Sequence, residues 1–185
     1  MAVYFTSDPH IGHDKDFIWR PRGFSSVEEH DTEILKRWNS IVTPEDTVYI
    51  LGDLCMSGNE KEWNRVYKVL NGEKIVIWGN HDTNNKLNKY QTEYGMTYLG
   101  FASIYKYNKK KMFYLSHYPT LVGNFEEERF FWNLSGHTHS SNKFEFGQYS
   151  IYNVAMDAHN CYPVSIEQII KDIEEKERER KEILF

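Results

Sequence analysis

A basic excess, a cysteine framework and a long apolar run are all missing from this 185-residue chain, and each absence removes a class of function. Its 22 lysines and arginines are outnumbered by 27 aspartates and glutamates, a net charge of −5. That balance argues against a nucleic-acid binder working by bulk electrostatics, while leaving short or end-on contacts open. The two cysteines, Cys55 and Cys161, build no disulfide framework and fit a reducing compartment. No apolar stretch is long enough to cross a bilayer, and Met1-Ala-Val-Tyr-Phe-Thr has neither a charged leader nor a cleavage-like segment. The expectation is a soluble cytoplasmic protein with no membrane partner. What is present is a globular composition, 40% apolar and 16% aromatic, at a length suited to one domain over residues 1–185.

Short β-branched and aromatic runs alternate with helical patterns, which predicts an α/β fold. Val3–Thr6, Thr47–Leu51 and Lys74–Trp78 read as buried strands. Ser25-Ser-Val-Glu-Glu opens a helix with a capping-box pattern, and Val27, Ile34, Leu35 and Trp38 supply its apolar face. Glu60–Leu70 and Thr83–Tyr90 read as further helices. Ala102–Tyr107 and Lys111–Leu115 form a hairpin around Asn108-Lys-Lys. Trp132–Leu134, Phe144–Phe146 and Gln148–Val154 are later strands, and Ser165–Leu184 is a terminal helix with a charged, solvated end. Neither a repeat nor a linker is visible.

The informative pattern lies immediately past each strand. Asp8-Pro-His10, Gly52-Asp53, Gly79-Asn-His-Asp82, Ser116-His117 and Ser135-Gly-His-Thr-His139 each sit at the end of an apolar run. In a sheet of this kind the carboxyl ends converge on one crevice. Each element alone is an ordinary turn or a structural histidine; five together at strand ends point to metal. Glycines 52, 79 and 136 allow sharp turns, and alternation along an extended Gly136–His139 places both imidazoles on one side. Asp8, His10, Asp53, Asn80, His117, His137 and His139 are too many ligands for one four-coordinate site. Carboxylate, amide and imidazole donors without cysteine suit two borderline divalent ions, Mn²⁺ first, then Fe²⁺, Ni²⁺, Co²⁺ or Zn²⁺. One carboxylate would bridge them, and such a pair clamps both sides of an in-line phosphoryl displacement.

Asp8-x-His10, Gly52-Asp53, Gly79-Asn-His81, His117 and Gly136-His-x-His139, in that order, resemble the calcineurin-like metallophosphoesterase family, over nearly the whole chain. The resemblance implies a four-layer α-β-β-α sandwich, two mixed β-sheets face to face and flanked by helices. It implies that Asp8, His10 and His139 bind one ion, that Asn80, His117 and His137 bind the second, and that Asp53 bridges. It implies a metal-bridging hydroxide as nucleophile and His81 as general acid, a role an imidazole near neutral pKa suits. Asp82 reads as a cap of the next helix or an orienting partner, the cap being favoured.

Departures from the family narrow the substrate. Phosphoprotein phosphatases of this type carry Gly-Asp-x-x-Asp-Arg-Gly; here the run is Gly52-Asp-Leu-Cys-Met-Ser-Gly58, which disfavours that activity and leaves open what orients His81. Cys55 is read as a buried thiol rather than a ligand. Phe17-Ile-Trp-Arg-Pro-Arg-Gly-Phe24 offers Arg20 and Arg22 to a phosphate, with aromatics for a base; a plain packing loop is the equal alternative. His13 and Tyr118 are further substrate-facing positions, His30 and His159 structural or supporting ones, and Asp14 faces water. The function expected is hydrolysis of a small phosphate ester, a nucleotide or cyclic nucleotide. A nuclease or polynucleotide-end phosphatase is the alternative, and a non-catalytic metal-binding interaction module a lesser one. No long duplex partner is expected.

Overall fold

The strand Thr47-Val-Tyr-Ile50 forms because its alternate residues feed two separate apolar layers. Val48 and Ile50 face a layer of helices, while Tyr49 and the following Leu51 face a second sheet. The computed structural model describes residues 1–56, 66–126, 129–147 and 149–183. Strands β1 (Val3–Thr6), β2 (Thr47–Ile50) and β3 (Glu73–Val76) run parallel, with Thr6, Ile50 and Val76 side by side. The short β4 (Thr97–Tyr98) extends this sheet beyond β3, in parallel. The second sheet takes β5 (Ala102–Lys106) and β6 (Met112–Ser116) as an antiparallel hairpin. A small hairpin of β7 (Gly123–Asn124) and β8 (Arg129–Phe130) comes next. Then β9 (Trp132–Ser135) and β10 (Ile151–Asn153) complete the order β10-β9-β6-β5, all parallel apart from β5. Finally β11 (Val164–Ser165) lies antiparallel on β1, giving the first sheet the order β11-β1-β2-β3-β4. Both sheets are therefore mixed, as expected.

Phe5, Leu51 and Ile77 from the first sheet meet Phe113, Leu115, Leu134 and Tyr152 from the second in one buried cluster. Truncating a residue such as Leu134 to alanine would cost about 2–5 kcal/mol through lost transfer energy and the cavity left behind. Between the first motif and β2 lie α1 (Asp16–Trp19) and α2 (Val27–Ile41). Ser26 caps α2 by accepting the Glu29 N–H, and the Glu29 carboxylate reaches back to the Ser25 N–H and hydroxyl. Ile34 and Trp38 of α2 pack on the outer face of the first sheet with Leu87 and Tyr90 of α3 (Asn84–Thr92). The terminal α4 (Ile166–Ile183) turns Ile166, Ile169 and Ile173 into the layer between the sheets. Among the described residues no helix is long and apolar enough to cross a membrane.

Several expectations need correction. Phe144–Phe146 is a turn, not a strand: Phe144 packs its ring against Trp132 and Tyr152, and the Tyr149 N–H closes the turn on the Phe146 carbonyl. Tertiary aromatic packing outweighs the local β pattern there. The strand expected from Gln148 begins at Ile151, Gln148 itself lying outside the described residues, as do Ser57, Gly58 and most of the expected Glu60–Leu70 helix. Asp82 is not the cap of α3; Thr83 is, accepting the Lys86 N–H.

Candidate metal centre and active site

The strand registers carry the ligands to one end of the molecule. Asp8 lies two residues past Thr6, Asp53 three past Ile50 and Asn80 four past Val76, on three adjacent strands. On the facing sheet, Leu115 pairs with Leu134, so His117 and His137 emerge at the same level. The sheets are tied together at this end: Ser7 bridges Ala155, exchanging bonds with the backbone of Val154 and Met156.

The candidate ligand atoms fall into two groups. In the first, Asp8 Oδ1 is 3.5 Å from His10 Nε2 and 3.8 Å from His139 Nε2, and the two imidazole nitrogens are 3.2 Å apart. In the second, Asn80 Oδ1 is 2.8 Å from His117 Nε2 and 2.9 Å from His137 Nδ1, those nitrogens being 3.2 Å apart. Asp53 Oδ2 lies between the groups, 3.9 Å from His10 Nε2 and 3.5 Å from His117 Nε2. Donors bound about 2.1 Å from a shared ion stand roughly 3–3.5 Å from one another, the range of the 3.2 and 3.5 Å spacings here. Asp8 Oδ1 is buried and has no hydrogen-bond partner, a costly state for a carboxylate oxygen that a cation would relieve. Groups of Asp8, His10 and His139, and of Asp8, Asp53 and His117, each converge tightly enough to share an ion. The donor set fits two borderline divalent metals.

Each carboxylate ligand spends its other oxygen on backbone. Asp8 Oδ2 accepts the His137 N–H, and Asp53 Oδ1 accepts the His81 N–H, both at 2.8 Å. Buried Asp82 accepts the N–H groups of Asp53 and Gly79 and the Tyr90 hydroxyl. Burial, with the neighbouring Asp53 charge, raises its carboxyl to about 6. Asp8, also buried, is held below the usual carboxylate range because the adjacent His10 and the surrounding imidazoles outweigh desolvation. Gly79 and Gly136 serve close approach: an added Cβ would stand 2.3 Å from Asp53 Oδ1 at the first, and 2.2 Å from both Asp8 Oδ2 and Ser7 Oγ at the second. Asp8, His10, Asp53, His137 and His139 all take positive φ, between 50° and 72°. Gly136–His139 is consequently not an extended strand, contrary to the expectation. Two left-handed residues, with the Thr138 N–H bonded to the Gly136 carbonyl, aim both imidazoles inward.

Behind the first group lies a support that sequence reasoning missed. His139 Nδ1 meets Asp157 Oδ2 at 3.2 Å, and Asp157 receives two bonds from Arg22 at 2.9 and 2.7 Å. Burial opposes charge on Asp157, but His139 and Arg22 hold its carboxyl down at about 2. Burial likewise opposes charge on His139, yet Asp157 and Asp8 raise its pKa above the ordinary imidazole value. Arg22 also donates to the Asp8 and Pro9 carbonyls and to His30 Nε2. Arginine only donates, so His30 Nε2 accepts and its Nδ1–H goes to Asp31, whose second oxygen takes the Gly12 N–H. Arg22 is thus corrected from substrate contact to buried brace, its side chain 2% exposed. Asp157 follows no strand-end motif; its signal was only an acid beside His159 at a sheet exit. His159 itself is structural, its Nε2 on the Asn153 carbonyl and its pKa lowered to about 4 by burial.

Above the metal-ligand array is a cavity of about 320 Å³, lined by His10, Asp53, Asn80, His137 and His139 together with His13, Phe17, Ile18 and His81. His81 is exposed; its ring stands edge-on to His10 at 5.6 Å, and Lys86 binds its carbonyl. His13 lines the cavity, its pKa lowered by burial. Tyr118 stands 4.4 Å from the His137 ring at the rim. Arg20 is not among the lining residues; it pairs with Asp16 and lies over Trp19. Cys55 is in the helix-side core, outside both ligand groups.

An α/β sandwich that gathers carboxylate and imidazole donors at its strand ends is the architecture of a metal-dependent hydrolase. The sequence profile of the calcineurin-like phosphoesterases matches residues 1–183, and the chain belongs to that family. It is a metal-dependent phosphoesterase. The chain is 33% identical over 179 residues to the uncharacterized protein MJ1445 of Methanocaldococcus jannaschii, covering 93% of this chain and 91% of that one. It is 29% identical to the Gene 66 protein of Mycobacterium phage D29, over 94% and 98% of the two chains. The crystal structure of AQ665, a protein of unknown function from Aquifex aeolicus, superposes with a TM-score of 0.69 at 27% identity, covering 92% and 98%.

Proposed function

We propose that the protein hydrolyses a small phosphate ester, a nucleotide or cyclic nucleotide, at a pair of divalent ions, Mn²⁺ first among them. Asp8, His10 and His139 would hold one ion, Asn80, His117 and His137 the other, and Asp53 both. When bound, the ions polarise the phosphoryl oxygens and supply an acidified water as nucleophile. The chain's own residues do the rest. His81, fixed through its backbone by Asp53 and Lys86, presents an exposed imidazole over His10 and protonates the departing ester oxygen. Among the described residues no side chain hydrogen-bonds that imidazole.

The observation carrying this reading is the placement of Asp53 Oδ2 between the two groups while Oδ1 anchors His81. One residue couples the ion pair to the acid. The test is hydrolysis of phosphate esters with added Mn²⁺ by Asp53→Asn and His81→Ala proteins. Asp53→Asn should lose bound metal and activity together. His81→Ala should keep its metal yet slow esters with poor leaving groups by about 10²–10⁴-fold, and activated aryl esters far less. Full activity of His81→Ala on an alkyl ester would remove the general-acid assignment.

A further inference from the structure

The metal-ligand array has an aromatic surface at each end, in contact with a different group of ligands. At the first group, His13 stands edge-on to His10 at 5.5 Å, and Phe17 edge-on to His13 at 5.4 Å; Phe17 is 66% exposed. At the second, Tyr118 packs on His137 and His117, Trp78 lies 6.1 Å from Tyr118, and Phe101 lies 4.9 Å from Trp78. Tyr118 is 42% and Phe101 70% exposed. Contiguous exposed rings beside a polar cavity form the kind of patch that marks a ligand-binding surface. Nucleobases suit them, because every base has a face that stacks on an aromatic ring.

From these two surfaces, one against each group of proposed ligands, and resting on the phosphoesterase reading above, we infer that the substrate is a linear phosphodiester with a base on each side of the phosphate, a dinucleotide being the smallest. The leaving nucleoside lies over His13 and Phe17, on the side where His81 meets His10. The retained nucleoside lies along Tyr118 and Phe101. Water adds to phosphorus, the bond from phosphorus to the leaving oxygen breaks, and that oxygen takes the proton from His81, giving one nucleotide and one nucleoside. A mononucleotide or cyclic nucleotide, with one base, covers only one of the two surfaces, so the dinucleotide narrows the nucleotide reading above.

The experiment compares kcat/KM with Mn²⁺ for the dinucleotide ApA, bis-p-nitrophenyl phosphate, AMP and p-nitrophenyl phosphate, in the wild type and in Phe17→Ala and Phe101→Ala. Both replaced rings are exposed, so the fold is not at stake. The expectation is that the diesters outrun the monoesters and that each substitution raises KM for ApA roughly 5- to 100-fold. In parallel, saturation-transfer NMR with the metal-free protein and adenosine, a neutral probe, should show magnetisation passing to the base protons and disappearing in the double variant. Preference for AMP or p-nitrophenyl phosphate would overturn the diester inference and leave the phosphoesterase intact. Unchanged KM in both variants, or no transfer to adenosine, would overturn the stacking surfaces. Turnover of none of the four esters would take down the proposed function and this inference with it.

Discussion

Replacing Asp157 with alanine should weaken metal binding and stability by separable amounts. Its carboxylate is the acceptor for His139 Nδ1 and for two N–H groups of Arg22. Removing it leaves a guanidinium that is 2% exposed with only carbonyls and His30 as partners. Breaking a buried ion pair by deleting one partner costs about 3–5 kcal/mol. For a chain of this length 1 kcal/mol is about 2–4 °C in Tm, so the metal-free protein should melt roughly 6–20 °C lower. Separately, His139 loses the group that fixes its ring and tautomer, which should reduce metal affinity about 10–100-fold. Calorimetric melting in chelator reads the first quantity, and titration calorimetry with Mn²⁺ reads the second. The double variant Arg22→Met/Asp157→Leu removes both charges together, so it should recover much of the stability but none of the affinity. If Asp157→Ala melted within about 2 °C of wild type, or if the double variant regained metal affinity with its stability, the division of roles would be refuted.

The geometry supports three further outcomes. Gly136→Ala puts a Cβ 2.2 Å from Asp8 Oδ2 and Ser7 Oγ; it should cost about 1–3 kcal/mol and abolish binding at the first ion site, read by melting and metal titration. His159 is held neutral by burial, with a folded pKa of about 4 against an ordinary 6.5, so the unfolded chain binds the extra proton between those values. Its contribution is therefore complete above pH 6.5 and is lost as pH falls towards 4, by up to about 3 kcal/mol; urea midpoints at pH 7 and 4.5 should converge when His159→Gln is compared with wild type. His139, whose proton is held more tightly than usual in the metal-free protein, must release it to bind an ion. Apparent Mn²⁺ affinity should drop about tenfold per pH unit below that raised value, and a flat pH dependence would contradict His139 as a ligand.

How much of the site is readable from sequence differs from residue to residue. The strand ends at Asp8, Asp53, Asn80, His117 and His137 were legible because each motif follows an apolar run whose register the structure keeps. β4, β7, β8 and β11 were not, because each has two residues and a two-residue strand has no periodicity. Phe144–Phe146 misled because its alternation serves aromatic packing on Trp132 and Tyr152 rather than a ladder. Arg22 was visible as an arginine after the first motif, but its inward direction depends on Asp157, far along the chain, and on the Ser7–Ala155 bridge that brings the two together. Asp82 was misassigned because an acid before a polar helix looks the same whether it caps that helix or reaches back to Asp53 and Gly79.

The backbone at the metal ligands explains why these distant pairings matter. Five of the seven positions proposed to bind metal take left-handed φ without being glycine, a conformation costing of order 1–3 kcal/mol each where nothing compensates. Such residues persist only where their surroundings over-determine them, and here the bracing passes from one motif to the next. Asp8 catches the amide of His137, Asp53 that of His81, and Asp82 those of Asp53 and Gly79; Arg22 takes the Asp8 and Pro9 carbonyls. The Asp8–His137 brace joins the two sheets, and the Asp53–His81 and Asp82–Asp53 braces join adjacent strand ends of the first, so these left-handed turns depend on contacts remote in sequence. Two carboxylates proposed as metal ligands, Asp8 and Asp53, thus also hold the backbone of the neighbouring motifs. Gly79 and Gly136 lack side chains for that reason: the space a Cβ would fill is occupied by Asp53 and Asp8.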